Sequence, residues 1–321
     1  VVGRLPEFQK TYAQGSGGKF SATSGTSWGP KISELPNDAT YGGNTDNKYT
    51  QQYGKQQGKY YVPQRASAGL DPWVTPQAYD NAKEFFDTGI TWSNSLNVAQ
   101  MLDKSSYSIS LGNTHQDGII SSTGMDRYNV KVSADTKLTN NWSSGFTANY
   151  ITTSIDKAVT SGNGLLRTVY AAPPSYDLAG IPSHVDGNQY TQNSFRGSFD
   201  NAYWAMDNNK FTEDTNRFFG NVYASYQTDF GTTNHKLNAK YMVGVDAYTT
   251  HYVDSYGYGS NTGGGRGQIE NYGWTNATYN SLLTINYDWH INEDWGLNAV
   301  LGNEIIQSNR KKYYEYGTNY N

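Results

Sequence analysis

The sequence predicts an all-β fold, a stretch of transmembrane antiparallel β-barrel carrying long extracellular loops. Three observations lead there: long segments of strict apolar/polar alternation, connections that are short at one end and long at the other, and an aromatic, glycine-rich composition of low mean hydropathy. Of 321 residues only 36% are hydrophobic, yet 15% are aromatic, with 28 Tyr, 8 Trp and 11 Phe beside 34 Gly. A mean hydropathy of −0.74 is expected when one face of each strand meets lipid while the other is polar and the loops sit in water. No apolar run is long enough for a membrane-crossing helix, and crossing strands need only about 9 to 11 residues.

The first 88 residues lack sustained alternation and carry prolines at 6, 30, 36, 63, 72 and 76 among Gly, Ser, Asn, Gln and Tyr. They read as the end of an early barrel strand followed by a long extracellular excursion, with a short helix over PQAYDNAKEFF at 76–86. From residue 89 to 321 the chain reads as barrel strands, placed at 89–100, 105–118, 124–138, 142–156, 213–230, 235–252, 269–290 and 294–311. The clearest is the third: Tyr128, Val130, Val132, Ala134, Thr136 and Leu138 alternate with Asn129, Lys131, Ser133, Asp135 and Lys137. Likewise Leu237, Ala239, Tyr241, Val243, Val245 and Ala247 alternate with residues that include Lys240 and Asp246, and Leu301 and Ile305 oppose Glu304.

A soluble β-sandwich would show the same alternation, so the connections carry the decision. LTNN at 138–141, TDFGTTN near 228–234 and HINED at 290–294 are short; 157–212 and 253–268 are long. Outer-membrane barrels have short periplasmic turns and long extracellular loops. Aromatic residues also flank the short turns, namely Trp142, Phe230, Trp289 and Trp295, where an interfacial girdle is expected.

Composition excludes several function classes. A net charge of −4 without any Lys/Arg-rich run argues against a nucleic-acid partner. With no cysteine, there is neither thiol nucleophile nor Cys-ligated metal. The histidines at 115, 184, 235, 251 and 290 form no HxxxH or HExxH arrangement, so no catalytic residue, cofactor or metal site is assigned. Asp207, Asn208, Asn209, Glu213 and Asp214 could offer oxygens to a calcium ion but lack EF-hand spacing, and a solvated loop entering a strand is the better reading. Gly263, Gly264, Gly265, Arg266 and Gly267 lack the strand-to-helix context of a phosphate loop and read as an extracellular tip.

Candidate substrate-binding residues are the loop aromatics Tyr170, Tyr176, Tyr203, Trp204, Tyr256 and Tyr258, whose rings suit stacking on sugars or gripping peptide side chains. Packing of the loops among themselves would use the same residues. Lys131, Asp135, Lys240, Asp246 and Glu304 are expected to face the lumen.

Several phrases, in order, resemble SusC/RagA-family TonB-dependent transporters of the Bacteroidetes. LPEFQKTYAQGSGG with SWGPK resembles that family's early strand and first large loop, and AKEFFDTGITWSNSLNV the helix and strand that follow. SYSISLGNTHQDGIISSTGMDRYNVKVSADTKL resembles its most recognisable hairpin, with GLLRTVYAAPPSYDL and NAYWAMDNNKFTEDTNRFFGNVYASY resembling a long-loop helix and the return to the membrane. The resemblance implies a barrel of about 22 strands closed by a plug, of which this chain would supply about 8 to 9. It implies a SusD-like lipoprotein partner at the mouth and the TonB complex acting through a plug that this sequence does not contain. Val1 without an initiating Met and Asn321 within YYEYGTNYN are expected to be cuts through a longer protein. The remaining plug and strands, and the lipid bilayer, are then partners in the bacterial outer membrane. The function implied is import of oligosaccharides, with oligopeptides as the alternative; a β-rich surface adhesin or lectin is the competing class.

Overall fold

Alternation over eight long segments produces one antiparallel sheet. The computed structural model describes residues 6–159 and 164–319; the chain ends Val1 and Asn321, and positions 160–163 of the long connection, lie outside the described residues. The strands are β1 (Thr91–Met101), β2 (Ser105–Asp117), β3 (Gly124–Lys137), β4 (Trp142–Lys157), β5 (Lys210–Thr228), β6 (His235–Tyr258), β7 (Arg266–His290) and β8 (Gly296–Thr318). Each pairs with its neighbour in sequence, so the sheet is a meander. It is open, with β1 and β8 as its edges.

Cross-strand register gives the faces different chemistry. One row joins Leu96, Leu111, Val130, Tyr150, Phe218 and Ala247; two residues further along, Val98, Ile109, Val132, Ala148 and Val245 follow. This apolar face is exposed, Val222 for example at 52% and Ile305 at 62%. On β6 it runs from Leu237 to Ala247, roughly 33 Å along the strand. At a barrel tilt of about 40° that is a band ~25 Å tall, the height of a lipid-facing belt. Above the band the same face turns polar: His115 Nδ1 lies 2.7 Å from Asp126 Oδ1, and the Ser154 hydroxyl donates to Asp214 (2.6 Å). At the short-turn end it carries Trp142 packed on Tyr226 (5.0 Å between ring centres) and His235 stacked on Trp289 (5.7 Å).

Three strands run further than alternation suggested. The run Tyr313–Thr318 is strand rather than loop, and β6 and β7 extend until residues 259–265 alone connect them, not 253–268. Beyond the apolar band both faces carry Tyr, Gly and polar residues, so the sequence loses its contrast while the backbone ladder continues. Gly263, Gly264 and Gly265 at the tip have φ of 69°, 68° and 83°, a left-handed turn that residues with a Cβ rarely adopt.

The buried core lies in the loops. Among the described residues up to 88 no strand is longer than two residues, so the expected end of an early barrel strand is absent there. Instead the segment contributes α1 (Lys48–Tyr53), α2 (Pro63–Ser67) and α3 (Asn81–Phe85). The expected helix at 76–86 is confined to α3, because the preceding residues form no regular element and the Tyr79 N–H donates to the Pro174 carbonyl (2.8 Å). The long connection adds α4 (Leu165–Ala171) and α5 (Ala202–Asn208). Leu35, Phe85, Val169, Leu178, Phe195 and Trp204 are buried among these segments.

Polar cross-links hold this loop body together. The Gln14 amide donates to the Phe195 carbonyl (2.8 Å) and the Tyr60 hydroxyl to the Ser175 carbonyl (2.8 Å). Asn81 Nδ2 donates to the carbonyls of Pro173 and Tyr176 while its Oδ1 accepts from the Leu178 N–H. Asp200 binds the β6–β7 tip, accepting from the Ser260 hydroxyl (2.6 Å) and the Asn261 N–H (2.7 Å).

Burial raises the pKa of the Tyr60 and Tyr176 hydroxyls far above the usual phenol value, desolvation being the main cause. Unfolded tyrosine ionises near pH 10, so the stability these groups confer is intact below about pH 10 and lost as pH rises beyond it. Ultraviolet titration of tyrosinate should therefore show a late fraction that ionises only as the loop body opens. Complete ionisation near pH 10, with the loop body still protease-resistant, would contradict this.

Candidate functional site

The second face of the sheet is polar, and the loop body covers its far end. Lys131, Asn149, Phe219, Asp246 and Thr278 form one cross-strand row on this face. Asp135, Gly145, Tyr223, Met242, Leu282 and Glu304 form another, and Lys240 pairs with Ser225 and Thr284 in the next. All five charged residues singled out from alternation therefore share a face. Three of these charges are linked into it: the Tyr223 hydroxyl donates to Asp135 (2.6 Å) while the Lys240 ammonium lies 4.1 Å from the Tyr223 ring centre, and Arg217 Nε donates to Asp246 (2.8 Å).

The six loop aromatics divide by burial. Tyr176 and Trp204 are corrected from stacking candidates to core residues: they are 3% and 0% exposed, Tyr176 against Phe195 and Trp204 with its indole N–H donating to the Gln189 carbonyl (2.7 Å). Neither presents a ring face to a solute. Tyr203 is half-buried edge-on to Phe85, and Tyr256 packs on Phe211. Tyr170 stacks on Phe8 (5.9 Å), and Tyr258 meets Tyr190 edge-on (5.5 Å); both remain exposed.

Where the loop body meets the sheet, a small cavity is lined by Lys157, Leu165, Ala205, Met206, Phe211 and Tyr256, among others. Beside it, on the polar face, is an aromatic group that reading segment by segment missed. Glu213, Tyr252, Tyr272 and Tyr314 lie in one cross-strand row. Tyr252 and Tyr272 stack at 5.0 Å and 8° between ring planes, and Trp274 lies 5.4 Å from Tyr252. Their common parity with Lys240 and Asp246 was the available signal, but strand register was needed to join residues so far apart in the chain.

The oxygens considered for calcium do not converge. Glu213 pairs with Lys157 on the polar face (3.2 Å), while its neighbour Asp214 points to the other side. Among the described residues no group of three or more His, Asp or Glu side chains is arranged to hold a metal ion.

No protein-family model matches the chain, and no curated protein matches it. Solved structures share its fold. The RagAB peptide importer in its closed-closed state superposes with a TM-score of 0.61 at 17% identity, over 76% of this chain and 27% of that one. In the open-open state the values are 0.61 and 16%, over 75% and 27%. A further structure of the RagAB peptide transporter gives 0.60 and 16%, over 76% and 27%. The chain thus spans about a quarter of the length of the solved chains it matches, and at this identity the likeness is one of fold.

Proposed function

We propose that this chain forms wall and extracellular loops of a TonB-dependent outer-membrane importer of oligosaccharides, working with a SusD-like surface lipoprotein. The observation that carries this is the two-faced sheet: an apolar band of membrane height on one side, a polar charged face on the other, and a packed loop body at the end away from the short turns. The apolar face meets lipid; Lys131, Asp135, Lys240, Asp246 and Glu304 line the lumen or contact the plug.

Strands β1 and β8 leave rows of unpaired N–H and C=O groups, which hydrocarbon does not tolerate. Further strands of the same transporter therefore flank them. TonB acts through the plug and not through this part of the wall. Exposed Tyr170 and Tyr258, with partly exposed Tyr203 and Tyr256, offer ring surface at the mouth for solute or lipoprotein. No residue is assigned a catalytic role. Oligopeptide import is the second reading, favoured by the fold shared with the RagAB peptide importer.

Detergent extraction of outer membranes followed by peptide mapping tests the assignment. Plug, remaining barrel and a lipoprotein should co-purify with these sequences. A soluble 35.6 kDa species found alone, without detergent, would sink the importer and favour a β-rich adhesin or lectin.

A further inference from the structure

Beneath the loop body, β6, β7 and β8 bring together a group of aromatic and acidic side chains on the polar face. Tyr252 and Tyr272 stack, and Tyr314, a residue 62% exposed, continues the row 6.4 Å from Tyr272. Trp274 lies one step further from the loops, with its indole N–H enclosed and without a hydrogen-bond partner among the described residues. One step toward the loops, Asp254 and Glu270 face each other directly in register. The Tyr272 hydroxyl donates to Asp254 (3.1 Å).

Two cations lie against this ladder among the described residues: the Arg310 guanidinium, 4.7 Å from the Trp274 ring centre, and the Lys157 ammonium. The ammonium lies 4.5 Å from the Tyr252 ring centre and is engaged by Glu213 (3.2 Å). The carboxylates of Asp254 and Glu270 thus stand on the loop side of the row, and the Arg310 guanidinium on the side away from the loops.

Resting on the importer reading, we infer that Tyr272, Trp274 and Tyr314, with Asp254 and Glu270, form a subsite for a neutral oligosaccharide on the inner wall just below the mouth. A sugar ring has an apolar C–H face and a rim of hydroxyl donors. The C–H face packs on the aromatic surface, and the hydroxyls donate to the carboxylates in charge-assisted hydrogen bonds. Each ring and carboxylate stands on a paired strand, so little ordering cost is added on binding.

The test uses the full transporter purified in detergent with its lipoprotein. Malto-, xylo- and manno-oligosaccharides are the probes, alongside alanine oligopeptides, and binding is measured by calorimetry. At least one neutral oligosaccharide should bind. Tyr272→Ala and Tyr314→Ala should each weaken it about tenfold, and Tyr314→Phe, which keeps the ring, should retain it. Absence of oligosaccharide binding, binding of peptides alone, or equal affinity in wild type and alanine variants would each overturn the subsite. Altered protease release of the plug with unchanged sugar affinity would identify the plug as the occupant and overturn it too. Heat-modifiable migration and co-purification of the lipoprotein are scored on the same samples, so failure of the importer reading is seen separately.

Discussion

Val222→Arg will deplete the protein from the outer membrane, while Asn221→Arg, one residue away, will leave it there. Val222 stands mid-band on the apolar face, 52% exposed and paired with Phe146 and Val243. Asn221 stands on the polar face with Thr147 and Gly244. An arginine facing lipid near the bilayer midplane costs about 2–4 kcal/mol, a large part of the ~5–15 kcal/mol by which a fold is usually stable. On the polar face the same charge joins Lys131, Arg217 and Lys240, where water solvates it. The amount of heat-modifiable protein in outer-membrane fractions reads the difference. Equal depletion by both substitutions would mean that the two faces do not differ in environment, and the membrane assignment would fail.

Trp204→Ala will unfold the loop body and leave the strands assembled. The indole is wholly enclosed and its N–H donates to the Gln189 carbonyl. Removing a buried tryptophan costs about 3–5 kcal/mol. Hydrogen exchange over α4, α5 and the 6–88 segment should accelerate strongly, with β2–β7 still protected. Trp204→Phe keeps most of the volume and loses the hydrogen bond, so a loss nearer ~1 kcal/mol is expected. Were Trp204→Ala to leave exchange in the loops unchanged, the residue would not be a core member. Its earlier candidacy as a stacking residue would then reopen.

Much of the sheet is legible in the sequence because its signal is local. Tyr128 to Leu138 or Leu237 to Ala247 show a two-residue period that any window of the chain reveals, and the turns LTNN and HINED bound the strands independently. Legibility fails beyond the apolar band. Val253–Tyr258 and Tyr313–Thr318 are strand, but above the band no apolar partner is required and the alternation fades.

The aromatic candidates failed for a different reason. Tyr176, Trp204, Tyr170 and Tyr258 all fall in the long connections that alternation leaves between strands, and nothing in the residues beside them separates the buried from the exposed. Trp204 is enclosed because α5 meets the strand at Asn188–Gln192. Tyr176 is enclosed because the turn after α4 meets Phe195 and Asn81. Those contacts join segments that no local pattern relates.

By itself, then, the sequence determined the eight strands, their two faces and the placing of short turns at one end, since all three follow from residue-by-residue periodicity. Only the tertiary structure decided which loop aromatics are core, that two distant loops share that core, and that Tyr252, Tyr272 and Tyr314 form one row. Burial and cross-strand register are properties of pairs of segments, and they come into being only when the chain closes on itself.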